Sequence, residues 1–291
     1  MPYKIYTYTD PYRIAETDFW EEIKSYPHFC AARTLVNGLI SVMRDEIVSL
    51  MCPLDDIVNE KVFSAWSKDI GVRIQQYSVL TDLYKKWSVA NKLGDNYYSA
   101  LNHNKSAMLD SLRLFIELGV DPEVLDAKKL NMEHRMFVYM LKLLKNVELF
   151  KIPAMPSISE LKQIVNKQAE DERAEKERLH DDGTNSEFLQ KDLELIDRMI
   201  RTTKNWDGMH VVIHGIHQFT PLQLRFIEHL NQLGVEIIFL YNYVPEYKEI
   251  YSSWTYIYQQ FDAPIHHDQN IKAYVPVGQF QKIGNAIATN I

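Results

Sequence analysis

The sequence predicts an α/β fold in which helices flank a central, mostly parallel sheet and a large helical insertion interrupts the chain. Two apolar runs, residues 209–213 (MHVVI) and 235–241 (VEIIFLY), have the continuous hydrophobicity that is typical of strands buried on both faces. Between them, residues 220–233 carry apolar side chains at helical spacing. A strand, a helix and a strand joined by short loops form a βαβ unit, so we expect parallel strands and a right-handed crossover.

Two sequence signals mark helix starts. Thr220-Pro221-Leu222-Gln223 places Thr at the N-cap, Pro at the first helical position and Gln at the third, and Gly234 ends the helix. Ser157-Ile158-Ser159-Glu160 is a second capping box. The helix that it opens runs into the charged residues 169–186, for which we predict a solvated helix end and a mobile loop, with an interaction tail as the alternative.

The remaining pattern divides the chain into three segments. We predict that residues 1–100 form the first part of the α/β lobe, 101–205 a helical insertion and 206–291 the second part of the lobe. The further expected elements are strand 3–9, helix 16–25, a helix within 28–52 with a short strand possible at 28–32, strand 71–76, helix 78–90, helix 106–118, a short helix after Asp121-Pro122, helix 131–148 and helix 187–203.

The amino-acid composition limits the classes of function that this chain can have. Of 291 residues, 46% are hydrophobic, which is enough for a sizeable core, and the net charge is −7. A dedicated nucleic-acid binder usually has a basic excess, so these numbers count against that class while leaving room for a local basic groove. Cys30 and Cys52 are too few for a disulfide framework, which indicates a reducing compartment and two buried core thiols.

The two ends of the sequence and the lengths of its apolar runs lead to further expectations. The N-terminus lacks the apolar stretch of a signal peptide and no run approaches the ~20 apolar residues of a membrane span, so we predict a cytoplasmic location and no membrane partner. Residues 278–291 are apolar and helix-like but have no natural stop. We therefore expect the natural chain to continue beyond residue 291.

Nucleotide and metal motifs are incomplete in this sequence. It contains neither GxxxxGK[ST] nor GxGxxG, the glycine-rich loops that let backbone amides approach phosphates. A Walker B acid would stand at the end of the VVI run to hold Mg²⁺, and that position is His214. Because a neutral imidazole does not replace a carboxylate as a ligand of a hard cation, we expect no bound cofactor or metal.

Two enzymatic alternatives stay open at this point. One is an ATPase with an unusual phosphate loop at Thr9–Arg13. The other is a metal-dependent hydrolase that uses His210, His214 and His217, with the pair at 266–267 as further ligands. A serine-nucleophile mechanism has no support, because no GxSxG elbow is present.

Residues 211–243, which begin VVIHGIHQFTPLQLRF, resemble part of a known protein family. They resemble the segment "apolar strand, Asp-Gly-Phe, Phe-Thr-Pro, helix, apolar strand" of the AddB/RexB-type subunits of bacterial helicase–nuclease complexes. More loosely, GVRIQQYSVLTDLYKKW is similar to a strand and helix of those subunits, and residues 106–148 resemble their helical insertion with "L-G-V-D-P-E-x-L". The resemblance implies the first lobe of a superfamily 1 helicase, a P-loop NTPase-derived fold that is often degenerate in this family.

The departures from the family pattern narrow what the resemblance implies. The family's Asp-Gly is His214-Gly215 here, no phosphate loop follows the first strand, and the iron–sulfur cysteines and nuclease motif are missing from these 291 residues. ATP hydrolysis and DNA cleavage therefore do not carry over. What remains is a non-catalytic, helicase-like module of a DNA repair, recombination or phage-defence protein, with DNA, a nuclease or helicase partner, or a C-terminal domain of the same protein as expected partners.

The candidate functional surface follows from these hypotheses. Basic side chains and strand-end histidines are the groups through which such a module would touch DNA. An adaptor that binds another protein through helix 157–203 is the competing hypothesis from a different class. The candidate residues are His214, His217, Arg73, Arg225 and Arg13, with Lys85 and Lys86 as further possible contacts.

Overall fold

The computed structural model describes residues 3–43, 48–125, 129–181 and 186–268. It divides into two compact units. The α/β unit comprises residues 1–57 and 156–291, and the helical unit comprises residues 58–155. The C-terminal segment for which the sequence predicts a helix, residues 278–291, lies outside the described residues.

The α/β unit is built on a six-stranded sheet in which every pairing between described strands is parallel. The strand order is β3-β2-β4-β5-β1-β6. The strands are β1 (Tyr3–Tyr8), β2 (His28–Cys30), β3 (Met51–Pro53), β4 (His210–His214), β5 (Glu236–Asn242) and β6 (Ile265–His267). The predicted βαβ unit is confirmed in its pairing, because β4 and β5 are parallel neighbours from His210↔Glu236 to His214↔Leu240.

Helices surround this sheet and also make up the second unit. They are α1 (Trp20–Ile23), α2 (Arg33–Val42), α3 (Leu54–Ile57), α4 (Ser64–Ser67), α5 (Ile70–Ala90), α6 (Asp95–His103), α7 (Lys105–Glu117), α8 (Met132–Leu144), α9 (Ile158–Asp181), α10 (Ser186–Lys204), α11 (Pro221–Gln232) and α12 (Ser252–Gln259). Helices α4 to α8 lie in the helical unit and the others lie in the α/β unit. The α/β class with a parallel sheet flanked by helices is therefore confirmed.

Helix α11 begins where its capping box predicts. The Thr220 hydroxyl accepts a hydrogen bond from the Gln223 amide at 3.3 Å, and the Gln223 side chain accepts one from the Thr220 amide at 2.9 Å. Two amide groups that would otherwise lack partners are thereby satisfied. The helix buries Phe226, Ile227 and Leu230 completely, which fixes the crossover between β4 and β5 on one face of the sheet.

Helix α9 continues well into the charged stretch. Ser157 and Glu160 form the second predicted capping box, with the Ser157 amide donating to the Glu160 carboxylate at 2.8 Å. The helix then runs to Asp181, and ion pairs join it to α10, including Arg173–Asp197 at 2.6 Å. The charged residues thus form a solvated helix end as predicted, whereas the expected loop falls on residues 182–185, outside the described residues.

Three local predictions were wrong in whole or in part. The strand predicted at 71–76, also expected from the resemblance, is part of α5, because Asp69 caps that helix by accepting from the Val72 amide at 3.1 Å. The short helix predicted at 16–25 is confirmed only as the four residues of α1, Trp20–Ile23, which follow a 3-10 turn at Pro11–Glu16. The end of the 28–52 segment is not helical, since Met51–Pro53 pairs with β2 as a strand.

The helical unit has its own core, formed around buried side chains of α5, α7 and α8. Leu80, Tyr84, Leu109, Leu112 and Met140 are all 0% exposed and belong to one hydrophobic cluster. The unit's limits, Val58 and Met155, do not coincide with the predicted insertion limits of 101 and 205. The difference arises because α5 packs with α6 and α7, whereas α9 and α10 belong to the α/β unit.

Two smaller expectations concern the cysteines and the membrane. Cys30 and Cys52 are both free and buried, as predicted. Within the described ranges, no helix has the length and apolar character that crossing a bilayer requires.

Helix α7 offers a matched test of the helical core. Replacing Leu112, which is 0% exposed, by Ala should lower the free energy of unfolding by about 2–5 kcal/mol, because the transfer term and a residual cavity add. Leu114→Ala, at a side chain that is 44% exposed on the same helix, should cost less than about 1 kcal/mol. Denaturant unfolding of both variants measures the difference, and equal losses would contradict the assigned core.

Candidate functional site

The carboxyl ends of the strands meet at one edge of the sheet because all the described strands are parallel. In open α/β sheets, ligands bind outside this edge. β1 ends at Tyr8 and β4 ends at His214, and β5 lies between these two strands. His214 stands where a Walker B acid would be needed, and a phosphate loop would follow Tyr8. These two positions are therefore close together.

A buried hydrogen bond joins these two strand ends. The Tyr8 hydroxyl lies 2.7 Å from Nε2 of His214, and the two rings meet edge to face with centroids 5.1 Å apart. Tyr8 is 3% exposed and His214 is 0% exposed. Nδ1 of His214 has no hydrogen-bond partner among the described residues. The two side chains thus fill the space between the ends of β1 and β4.

A second buried histidine lies beside this pair. His28 begins β2, its ring centroid is 6.4 Å from that of His214, and its Nε2 lies 3.2 Å from the carbonyl oxygen of Ile23. Burial lowers the pKa of His28 to about 4. Burial, together with the neighbouring His28, lowers the pKa of His214 to about 3. Both imidazoles are therefore neutral near pH 7.

Two further titratable side chains beside His214 are also held neutral. Burial raises the pKa of the Cys30 thiol to about 12, and it raises the pKa of the Tyr8 hydroxyl well above its ordinary value. A thiolate nucleophile and a phenolate base are consequently both strongly disfavoured near pH 7. These side chains are therefore packed and hydrogen-bonded like those of a protein core. They are not poised for proton transfer near pH 7.

The loop after β1 carries a carboxylate where a phosphate loop would carry bare amides. Asp10 caps the 3-10 turn Pro11–Glu16, and its side chain accepts a hydrogen bond from the Tyr12 amide at 2.9 Å. Arg13 is exposed and pairs with Glu16 on the same turn. A phosphate approaching Thr9–Arg13 would thus meet one negative charge and an arginine that is already paired.

The histidines of the metal hypothesis lie in separate surroundings. His210 stacks on Tyr26 with centroids 4.6 Å apart, and His217 stacks on Trp254 at 5.2 Å. The pair at 266–267 lies on the edge strand β6. Within the part of the chain that the structure describes, no three His, Cys, Asp or Glu side chains group as metal ligands. The structure does not bring these histidines together as one centre.

The predicted basic residues are likewise dispersed. Arg13 and Arg225 belong to the α/β unit, where Arg225 lies half-buried on α11. Arg73 belongs to the helical unit and hydrogen-bonds to Asp110 and to the Tyr77 hydroxyl. Lys85 and Lys86 are exposed on α5 in the same unit. The predicted surface is therefore divided between the two units.

Sequence reasoning missed a charged cluster near the carboxyl ends of β2 and β3. Arg33, the first residue of α2, donates to both carboxylate oxygens of Glu172 at 2.7 Å and also to Asp56. Gln223 donates to Asp55 at 2.9 Å. Arg33 and Glu172 are 139 residues apart, so no local sequence signal could have found this pair.

A scan against protein-family models, a search of curated proteins and a search of solved structures each give no match. What can be said about function comes from the geometry of the carboxyl edge and from the charges of the two units. The resemblance to AddB/RexB-type subunits rests on sequence pattern, most closely that of residues 211–243.

The buried histidines predict a loss of stability in acid. Unfolded histidine binds its proton near pH 6.5, whereas His28 and His214 bind theirs only near 4 and 3, so the unfolded state binds more protons between these values. Stability should therefore fall as pH decreases from about 6.5, by about 2 kcal/mol per histidine at pH 5. Melting temperatures measured at pH 7, 6 and 5 test this expectation.

Two variants separate the buried histidines from the others. His28→Phe keeps a ring of similar shape and removes one titrating group, so it should weaken the acid dependence by about half. His217→Gln, at an exposed position, should leave the dependence unchanged. An identical pH slope in the wild type and in His28→Phe would show that burial of this imidazole does not control acid stability.

Proposed function

We propose that this chain is a non-catalytic, helicase-like module of a DNA repair, recombination or phage-defence protein, in which a nucleotide-hydrolysing fold serves as a scaffold. The single observation that carries the proposal is the buried hydrogen bond between Tyr8 and His214. It occupies the strand ends at which nucleotide chemistry would need glycines and an acid.

Electrostatics support the non-catalytic part of the proposal. Mg²⁺ bound to phosphates is held by hard oxygen ligands, and backbone amides cradle the phosphates. His214 offers a neutral, buried imidazole instead of a carboxylate. Asp10 places its own carboxylate on the backbone amide of Tyr12. A nucleotide entering here would have to break a 2.7 Å hydrogen bond and approach a negative charge.

Topology supports the scaffold part. The parallel pairing of β4 and β5 agrees with the strand, helix and strand order on which the resemblance rests. The same arrangement also places β1, the strand that a phosphate loop would follow, beside β5. In such a module the sheet presents other surfaces to a nuclease or helicase partner, or to a C-terminal domain of the same protein.

Charge distribution favours the helical unit as the DNA contact. Residues 58–155 contain 14 Lys and Arg and 11 Asp and Glu, out of 32 and 39 in the whole chain, so the α/β unit carries the acidic excess. Lys85 and Lys86 are exposed on α5, and neither forms an ion pair with another described residue. Unpaired lysines can displace counterions from phosphates, which is the main source of non-specific affinity for DNA.

A salt-dependent titration with fluorescent single-stranded DNA tests this contact. The wild type should bind more weakly as salt rises, and Lys85→Gln/Lys86→Gln should lower the affinity several-fold. The slope of log K against log salt should also decrease, by up to about 1.4 for two lost contacts to a single strand. The matched control is Lys142→Gln/Lys145→Gln, which removes two lysines of the same unit that pair with Glu123 and Asp121.

The outcomes separate the competing hypotheses. Equal losses in the two double variants would show that binding follows net charge and not this surface. Absence of binding at low salt would contradict the DNA role and would favour the adaptor hypothesis for residues 157–203, where α9 and α10 form a charged helical pair.

A further inference from the structure

We propose that the cleft between α11 and α12 is a binding site for a small amphipathic cation, an ammonium group carried on an aromatic or branched apolar body. The cleft has a volume of about 510 Å³. Pockets for small molecules usually measure ~300–1,000 Å³ and combine apolar walls with a few polar groups. This inference is independent of the helicase-like proposal, because it concerns a different face of the α/β unit.

Aromatic rings form the walls of the cleft and hold one another in place. Phe261 meets Phe219 edge to face with centroids 5.7 Å apart, and it meets Tyr3 in the same manner at 5.4 Å. Behind them, Phe239 is fully buried, and its ring centroid lies 4.3 Å from that of Phe261. Because the rings pack on a buried layer, the walls exist before a ligand arrives, which reduces the entropic cost of binding.

The remaining lining residues are mostly apolar, with the amides of Gln218 and Gln260 and the carboxylate of Glu228 as the polar groups. Leu224 and Ile227 of α11 line it from one side, and Ile257 of α12 lines it from the other. Tyr256, also on α12, is 65% exposed. A large aromatic side chain that is both exposed and adjacent to an apolar cleft is a typical feature of a recognition surface.

The charge at the cleft favours a ligand of one sign of charge over the other. Glu228 is the one Asp, Glu, Lys, Arg or His among the described residues that line the cleft. It forms no ion pair with any other described residue. Burial raises the pKa of the Tyr3 hydroxyl, the hydrogen bond from Asn231 opposes this, and the nearby charge of Glu228 raises it further.

Two attractions therefore act on a cation in this cleft. The carboxylate of Glu228 attracts it directly, and the faces of aromatic rings attract cations through their quadrupoles. An anionic ligand such as a nucleotide would meet the same carboxylate and be repelled. The apolar walls add the affinity for a hydrophobic body, so that the preferred ligand carries both features.

A titration of the 291-residue chain with three near-isosteric probes tests the proposal. Phenethylammonium supplies the cation, phenethyl alcohol its neutral counterpart and 3-phenylpropionate its anionic counterpart, and NMR chemical shifts report binding. We expect millimolar affinity for the ammonium probe, at least about threefold weaker binding of the alcohol and no measurable binding of the carboxylate.

Matched variants connect the preference to named side chains. Glu228→Gln keeps the shape of the side chain and should reduce affinity for the ammonium probe about three- to tenfold while leaving the alcohol unaffected. Glu246→Gln, an exposed acid outside the cleft, makes the same charge change and should have no effect. Tyr256→Ala should weaken both probes, and because this side chain is mostly exposed, the variant should remain folded, as circular dichroism would verify.

Three results would overturn the proposal. The first is equal affinity for the ammonium and the carboxylate probes. The second is an unchanged affinity in Glu228→Gln. The third is absence of ammonium binding by the 291-residue chain. DNA binding through Lys85 and Lys86 would be unaffected by any of these outcomes, so the two proposals fail separately.

Discussion

The buried hydrogen bond between Tyr8 and His214 is the interaction on which the character of this sheet depends. A single hydrogen bond adds only about 0.5–1.5 kcal/mol to stability, but a buried polar group that loses its partner costs about 1–3 kcal/mol. Nδ1 of His214 has no partner among the described residues, so loss of the Tyr8 hydroxyl would leave both buried ring nitrogens without a hydrogen bond. The same bond that ties β1 to β4 therefore keeps the ends of these two strands closed and uncharged.

The parts of the fold that could be predicted are those whose sequence signals lie within a few neighbouring residues. The strands β4 and β5 and the cap at Thr220 have signals within a few residues, and the structure confirms them. The strand predicted at 71–76 failed because the Asp69 cap and the helical spacing of Leu80 and Leu83 outweighed a short apolar run.

The site was less predictable than the fold because its partners are distant in sequence. The position of His214 at a strand end was readable, but its partner lies 206 residues earlier in the chain. The same holds for Arg33 and Glu172. The sequence could identify a missing acid and missing glycines, while only the fold reveals what occupies their place. Helix α12 packs on the sheet through Tyr258, whose ring stacks on that of Tyr241, and it also lines the cleft through Tyr256 and Ile257.

The most direct measurement of the central claim is a calorimetric titration of the 291-residue chain with ATP and Mg²⁺. Closed and neutral ends of β1 and β4, with the Asp10 carboxylate on the neighbouring loop, predict no saturable binding at concentrations up to about 1 mM. A saturable, magnesium-dependent isotherm with a micromolar dissociation constant would contradict the account, because it would require an open phosphate site where Tyr8 and His214 now meet.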